Sequence, residues 1–363
     1  MNRCRLLVAA LALLCAVHGR DATAAVIGVE KISLTVANLD RTERFYRDIL
    51  GFEALGRQHS DDPRLARLLG VESAAVDILA MRLGNEQVEF VQYRHKGRAY
   101  PRDSRSPDLW FQHFAIIVSD MDRAYARVRR AGVAAISSGG PQTLPPQNGR
   151  VRAFKFRDPD GHPLELLYFP PGEGRPVWHT AASGRLFLGI DHSAIGISDT
   201  AVSRSFYGSL LGMSAVYEIV NRGPAQEHLD GTFNAVVRIT GMRPVSSDGP
   251  GIEFLDYRTP PTGRHAPVDA ASDDIAHVHL VLVVDDLART LEQLEAAAIR
   301  LVSPGLVELA GGRRALMIRD PDGHTLLLTE ERPHMTMSEL AIVVGAGYGA
   351  QLAPAFLGLH GFH

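Results

Sequence analysis

The sequence predicts an α+β fold of four tandem βαβββ modules, on three observations. The chain repeats itself in order: Phe45-Tyr46 recurs as Phe206-Tyr207, Leu50-Gly51 as Leu211-Gly212, Gly70 as Gly231 and Met81 as Met242, each 161 residues on. The stretch Val88-Glu89-Phe90 recurs as Ile252-Glu253-Phe254, and the turn RDPDGH at 157–162 recurs at 319–324. Within each half the pattern of strand, helix and three strands runs through twice.

In the first module, residues 29–36 alternate apolar and polar side chains as a half-buried strand does. Asn38-Leu39-Asp40 opens a helix that carries Phe45, Tyr46 and Leu50 and stops at Gly51. A short helix at 61–69 and strands at 75–82 and 87–93 complete the module. The second module has a strand at 111–118, a helix at 120–131 and a Pro/Gly-rich loop at 139–149. Its last strands, 151–156 and 163–168, are joined by the RDPDGH turn. Proline and glycine crowd residues 170–184, which marks the boundary between two domains at 25–172 and 187–332, with 173–186 as linker.

The ends differ from the body. Arg3 and Arg5 precede an apolar run from Leu6 to Val17, and Ala22-Thr23-Ala24 follows, so residues 1–24 read as a cleaved export signal and the periplasm as the destination. Leu14 before Cys15 is too large for a lipoprotein cleavage site. Both cysteines, Cys4 and Cys15, fall inside that signal, which leaves a bound metal to His and carboxylate ligands. The Gly-rich apolar tail at 333–363 has the length of a membrane span but carries Gly, Gln351 and Pro354. Packing on the body or disorder is expected of it, and no stable span. A net charge of -3 gives no reason to expect a nucleic-acid partner.

Tandem βαβββ modules with a leading His-x-x-x-x-hydrophobic strand and a closing Asp-Pro-Asp-Gly turn resemble the vicinal oxygen chelate superfamily. This group includes glyoxalase I, extradiol dioxygenases, fosfomycin-resistance enzymes and the metal-free bleomycin-resistance proteins. The resemblance covers nearly all of residues 27–331. It implies that paired modules curve their sheets into cups, with one ligand position on the first strand and one on a later strand of each module. A divalent metal held there binds two neighbouring oxygens of a substrate.

Carried onto this chain, the first-strand positions are Lys31, His113, His192 and His279, and the later ones are Glu89, Glu165, Glu253 and Leu327. Taken half by half, each half keeps three of four. His192, Glu253 and His279 are then the expected ligands, suited to iron, manganese, nickel or zinc, with Glu89, His113 and Glu165 as second choice. Lys31 would repel a cation and pair with Glu89 or Glu165, making the first half degenerate or substrate-shaping.

His277 shares a strand face with His279 and, with Glu165, is the candidate for proton transfer. Tyr93, Tyr257 and Lys31 are candidates for lining the cups, and His162 and His324 are expected at the solvent-exposed turns. Leu327 stands where dioxygenases take a carboxylate, so the retained set is a subset of the glyoxalase I pattern, while export argues against glutathione as substrate. The expected function is a metal-dependent enzyme for a small vicinally oxygenated molecule, aromatic ones included, by dioxygenase or glyoxalase-like lyase or isomerase chemistry. The alternative is a metal-free protein that binds or sequesters a small molecule. Two cups in one chain make a monomer as reasonable as a homodimer.

Overall fold

Strand-forming runs rich in Val, Ile, Leu and Phe alternate with short capped helices, and the two kinds of segment assemble in the predicted order. The structure, a computed structural model, describes residues 24–330 apart from 74, 181–183, 246 and 262. The expected export signal, apart from Ala24, and the C-terminal tail lie outside the described residues. Among the described residues no helix is long and apolar enough to cross a membrane.

The first module runs β1 (Val26–Thr35), α1 (Leu39–Arg44) continued by a π-helical turn at Phe45–Ile49, β2 (Glu53–Ser60), α2 (Pro63–Leu69), β3 (Val76–Leu83) and β4 (Glu86–Tyr93). The second has β5 (Gln112–Val118), α3 (Met121–Arg130), the short β6 (Ala134–Ala135) and β7 (Gln142–Thr143), β8 (Arg152–Arg157) and β9 (Pro163–Tyr168). One helical turn, α4 (Val177–Thr180), sits in the linker. The third module repeats the first as β10 (Phe187–Ile197), α5 (Thr200–Arg204) with a π-helical turn at Ser205–Leu210, β11 (Ser214–Arg222), α6 (Pro224–Asp230), β12 (Val236–Arg243) and β13 (Gly251–Thr259). The fourth repeats the second as β14 (Val278–Val284), α7 (Leu287–Ala296), β15 (Val307–Glu308), β16 (Arg314–Arg319) and β17 (Thr325–Glu330).

Local chemistry sets the boundaries. Asn38, Asp120, Asp199 and Asp286 each cap a helix with a side-chain oxygen that accepts from an amide of the first turn. Gly70 and Gly231 end α2 and α6 with φ of 66° and 58°, a backbone that a side chain would strain.

The modules do not pair as consecutive neighbours. One sheet has the order β15-β16-β17-β14-β1-β4-β3-β2, and the other β11-β12-β13-β10-β5-β9-β8-β6 with β7 also on β8. Modules one and four thus build one cup and modules two and three the other, so each sheet takes one module from each half. The seams are antiparallel: β1 on β14 with Ser33 opposite His279, and β10 on β5 with Ala194 opposite His113. The loops between modules clasp each other across the exchange. Arg98 binds Asp274, and its repeat Arg264 binds Asp108, each through a forked contact.

Within each half, the second module is joined to the first through its Asp-Pro-Asp-Gly turn. The Tyr46 hydroxyl donates to Asp158 at 3.2 Å, and the Tyr207 hydroxyl donates to Asp320 at 2.9 Å. Asp158 also accepts from the amides of Asp160, Gly161 and His162 and from His162 Nδ1. The turn histidines, expected at the surface, are buried: His162 Nε2 bonds the carbonyl of Ile275 and His324 Nε2 that of Gly196, both at 2.7 Å. The inter-module loop and β10 cover them, a long-range contact that turn chemistry does not foretell.

Asp158→Ala would leave the Tyr46 hydroxyl and the His162 ring without their partner in the interior. The expected cost is about 3 kcal/mol in urea unfolding, against under about 1 kcal/mol for Arg57→Ala at an exposed ion pair.

Candidate metal centre

The exchange of modules decides which ligand positions meet. β5, β9, β10 and β13 lie side by side in one sheet, so His113, Glu165, His192 and Glu253 converge on one concave face. His192 Nε2 lies 3.4 Å from Glu253 Oε2 and 3.9 Å from Glu165 Oε2, and His113 Nε2 lies 3.4 Å from Glu165 Oε2. One ligand atom each from His113, Glu165 and His192 falls within 4.8 Å of the others. The set expected from the second half is therefore divided. His192 and Glu253 are here, whereas His279 is on the other sheet with Lys31, Glu89 and Leu327. The second-choice set is divided as well: Glu89 stands apart from His113 and Glu165.

The four residues suit a divalent ion. His192 Nε2 and both ring nitrogens of His113 are buried without a hydrogen-bond partner, an arrangement that costs free energy unless something else meets those atoms. Bonds of about 2.0–2.2 Å to a common ion bring ligand atoms to about 3–3.5 Å from one another. The three measured contacts, 3.4, 3.4 and 3.9 Å, approach that range. Two imidazoles and two carboxylates form a donor set for iron, manganese, nickel or zinc.

Asp191 holds His192 in place. Its Oδ2 lies 3.1 Å from His192 Nδ1, which aims Nε2 at the carboxylates. Its other oxygen accepts from Trp178 Nε1 at 2.9 Å and from Arg243 at 3.3 Å. Adjacent residues on a regular strand face opposite ways, but β10 shifts register between Ile190 and His192, and that bulge brings both side chains to the site. Burial disfavours charge on His192, but Glu253, Asp191 and Glu165 outweigh it and lift its pKa to about 9. Burial likewise opposes ionisation of Glu165, yet His113, Lys155 and His192 bring it down to about 2. Without metal, then, a His192 cation sits among carboxylates, and a metal would take the place of its proton.

A cavity of about 520 Å³ opens over the four residues. Leu144, Leu167, Val216, Ile219, Ile239 and Leu255 make its walls apolar, while Tyr217, Lys155 and Gln226 add polar atoms. Tyr217 donates its hydroxyl to Glu253 Oε1 at 2.5 Å. Of the residues expected to line the cups, Tyr93 and Tyr257 are buried in the packed interior and neither borders this cavity.

The other cup is closed to such chemistry. Lys31 Nζ pairs with Glu89 at 2.7 Å, as its charge led us to expect. Leu327 packs with Leu65, Leu69, Tyr93 and Met317 in the hydrophobic filling of that cup. His277, expected to transfer protons, is not in the metal cup. Its Nε2 lies 3.0 Å from His279 Nδ1, and it borders a separate cavity of about 150 Å³ between the two sheets. Asp191, Tyr217, Lys155, Gln226 and Asp230 were not anticipated. The one sequence cue was the acid directly before a ligand histidine, and strict alternation assigns that acid to the wrong face.

The sequence profile described as the Glyoxalase/Bleomycin resistance protein/Dioxygenase superfamily matches residues 28–166 and 189–328. A 2-epi-5-epi-valiolone epimerase from an Actinomyces species is 32% identical over 156 residues, covering 40% of this chain and 81% of its own length. A lactoylglutathione lyase from Neisseria meningitidis is 24% identical over 150 residues, covering 41% of this chain and 95% of its own. Glyoxalase I from Zea mays superposes with a TM-score of 0.56 at 17% identity, over 83% of this chain and 92% of that one. A putative dioxygenase from Bacillus subtilis gives 0.51 at 13% identity, over 85% and 86%. The likeness to these two structures is one of fold.

His279 provides a test of the closed cup. Burial, joined by Lys31 and only partly offset by Glu89, pushes its pKa down to about 4 from the ordinary 6.5. The unfolded chain therefore takes up a proton first as pH falls. The stability contributed by neutral His279 is complete above about pH 6.5 and is lost towards pH 4. Between pH 7.5 and 4.5, denaturant titrations should show wild type losing about 2 kcal/mol more than His279→Gln.

Proposed function

The chain belongs to the glyoxalase/bleomycin resistance protein/dioxygenase superfamily, and we propose that it is an enzyme that holds one divalent transition metal on His113, Glu165, His192 and Glu253. The observation that carries this reading is the convergence of four ligand-type side chains from four strands under an open cavity, with unpartnered imidazole nitrogens facing inward. Its substrate is a small molecule with two neighbouring oxygens.

When bound, the metal supplies the positive charge that makes a carbon beside a chelated carbonyl acidic. Glu165, an anion well below neutral pH, serves as a ligand and is a weak base. Glu253 is the better proton carrier: it borders the cavity, and the Tyr217 hydroxyl fixes one of its oxygens while leaving the other towards His192. Glu253 takes a proton from the carbon next to the carbonyl and returns it to the same or the neighbouring carbon, so that the net change is isomerisation or epimerisation and no redox partner is consumed. The apolar walls limit water around the acidified carbon. An epimerase and a lyase among the relatives accord with proton transfer.

Export remains part of the proposal. Cleavage after Ala24 would expose the amine of Ala25, whose nitrogen lies 2.8 Å from the Asp285 carboxylate and would gain an ion pair there. Intact mass of the secreted protein tests that processing site.

Elemental analysis of protein purified without chelators is expected to find about one equivalent of transition metal per chain, lost in His192→Ala and His113→Ala and retained in His279→Ala. Retention in His192→Ala, or loss in His279→Ala alone, would refute the assignment. No metal in wild type after anaerobic reconstitution with iron, manganese, nickel or zinc would leave a binding protein. Glu253→Gln should lower kcat by roughly a hundredfold or more on any substrate found, with a smaller change in metal content.

A further inference from the structure

Beside the four metal-ligand candidates, the same cup contains a second buried polar group that metal binding does not use. Lys155 on β8 lies directly across from Glu165 on β9, so its side chain rises from the same concave face. Its ammonium is buried and donates to Asp230 Oδ1 at 2.7 Å. Gln226 Nε2 donates to the other oxygen of that carboxylate at 2.6 Å. This orientation of the amide is forced, because a carboxylate paired with a lysine accepts and does not donate. It leaves Gln226 Oε1 buried with no hydrogen-bond partner. The other N–H bonds of Lys155 likewise have no acceptor among the described residues. Both side chains border the cavity.

The repeat shows that the fold does not require this group. With the offsets of 161 and 162, Gln226, Asp230 and Lys155 correspond to Leu65, Leu69 and Met317. Those three pack together in the hydrophobic filling of the closed cup. Helix α6 occupies the place of α2, and Ser106 donates to the carbonyl of Asp230 as Ser272 donates to that of Leu69. The backbone arrangement is shared, and the polar atoms occur only in the cup with the metal-ligand set.

We infer that Lys155 and Gln226, held on the two oxygens of Asp230, form a subsite for a substrate hydroxyl group, so that the substrate is a polyol or polyhydroxylated ring with at least one hydroxyl beyond the two oxygens facing the metal. The paired free donor and free acceptor argue for that group. A hydroxyl oxygen accepts from Lys155 Nζ while its proton goes to Gln226 Oε1. A carboxylate or carbonyl would present a second acceptor to Oε1, and an apolar group would leave both protein atoms unpaired. This substrate class rests on the function proposed above.

The test uses the full chain loaded with manganese, with the metal content of each sample determined, and two probes measured by calorimetry: myo-inositol and trans-1,2-cyclohexanediol. The diol has only the neighbouring oxygens. Wild type should bind myo-inositol about tenfold more tightly than the diol. The triple variant K155M/Q226L/D230L, which copies the residues of the closed cup, should bind the two equally, with metal content unchanged. Gln226→Leu alone, which keeps the ion pair, should lose most of the preference and guards against misfolding of the triple variant. Equal binding of the probes by wild type, no binding of either, or a preference that survives Gln226→Leu would overturn the subsite. Absence of metal from wild type would defeat the proposed function instead, and the ratio measured on that metal-free chain would still decide the subsite.

Discussion

The site depends on the antiparallel seam between β5 and β10. Two of the candidate ligands lie on the strands that meet there, and the other two lie on the strands parallel to each of them, β9 and β13. A slip of one residue would turn His113 to the opposite face, and a slip of two would carry it about 7 Å along the strand. Register is held because both strands are buried along their whole length, β10 for eleven residues and β5 for seven. Helices and cross-module contacts pack behind the seam, and the cup opens on its other side.

One backbone plan has been filled in two ways. In the closed cup, α2 and the strands around it meet in an apolar cluster, and the two remaining charges neutralise each other as Lys31 and Glu89. In the open cup, carboxylates and cations alternate through the wall: Asp191 with Arg243 and His192, Glu165 with His192, and Asp230 with Lys155. Burying so many charges is costly, and each contact offsets only part of the loss of water. Such an arrangement is reasonable where the charges act on something that enters the cavity. The apolar cup contributes ordinary core packing to the same molecule, and the two share their interior through the strands of the central cluster.

Much of this was legible in the residues. Periodicity and capping acids located most strands and helices to within a few residues, though they missed the exposed polar strand β2, and four of the eight positions named by the repeat offsets meet in one sheet. What the offsets could not convey was which module lies against which. Alternation reports the face of a strand and says nothing about the neighbour at its edge, so modules adjacent in the chain were expected to share a cup. The missing ligands held a clue: Lys31 and Leu327 fall in the first and last modules, and grouping those two modules puts both losses in one cup and a full set of four in the other. Asp191 was hidden for a different reason, since a bulge breaks the alternation on which any facing argument relies. The burial of His162 depends on a carbonyl 113 residues away, a contact with no local trace.

The exchange of modules also orders events during synthesis. The first strand, β1, completes its sheet only on β14, about 250 residues later in the chain. Until the last module leaves the ribosome, the β1 edge has no partner, and the sheet that forms first has only half its width. The inner pair, β5 and β10, lies closer in sequence and can close earlier. The cup with the metal-ligand set is therefore positioned to assemble before the cup that encloses only its own side chains, and the nascent chain carries an open, apolar strand edge throughout that interval.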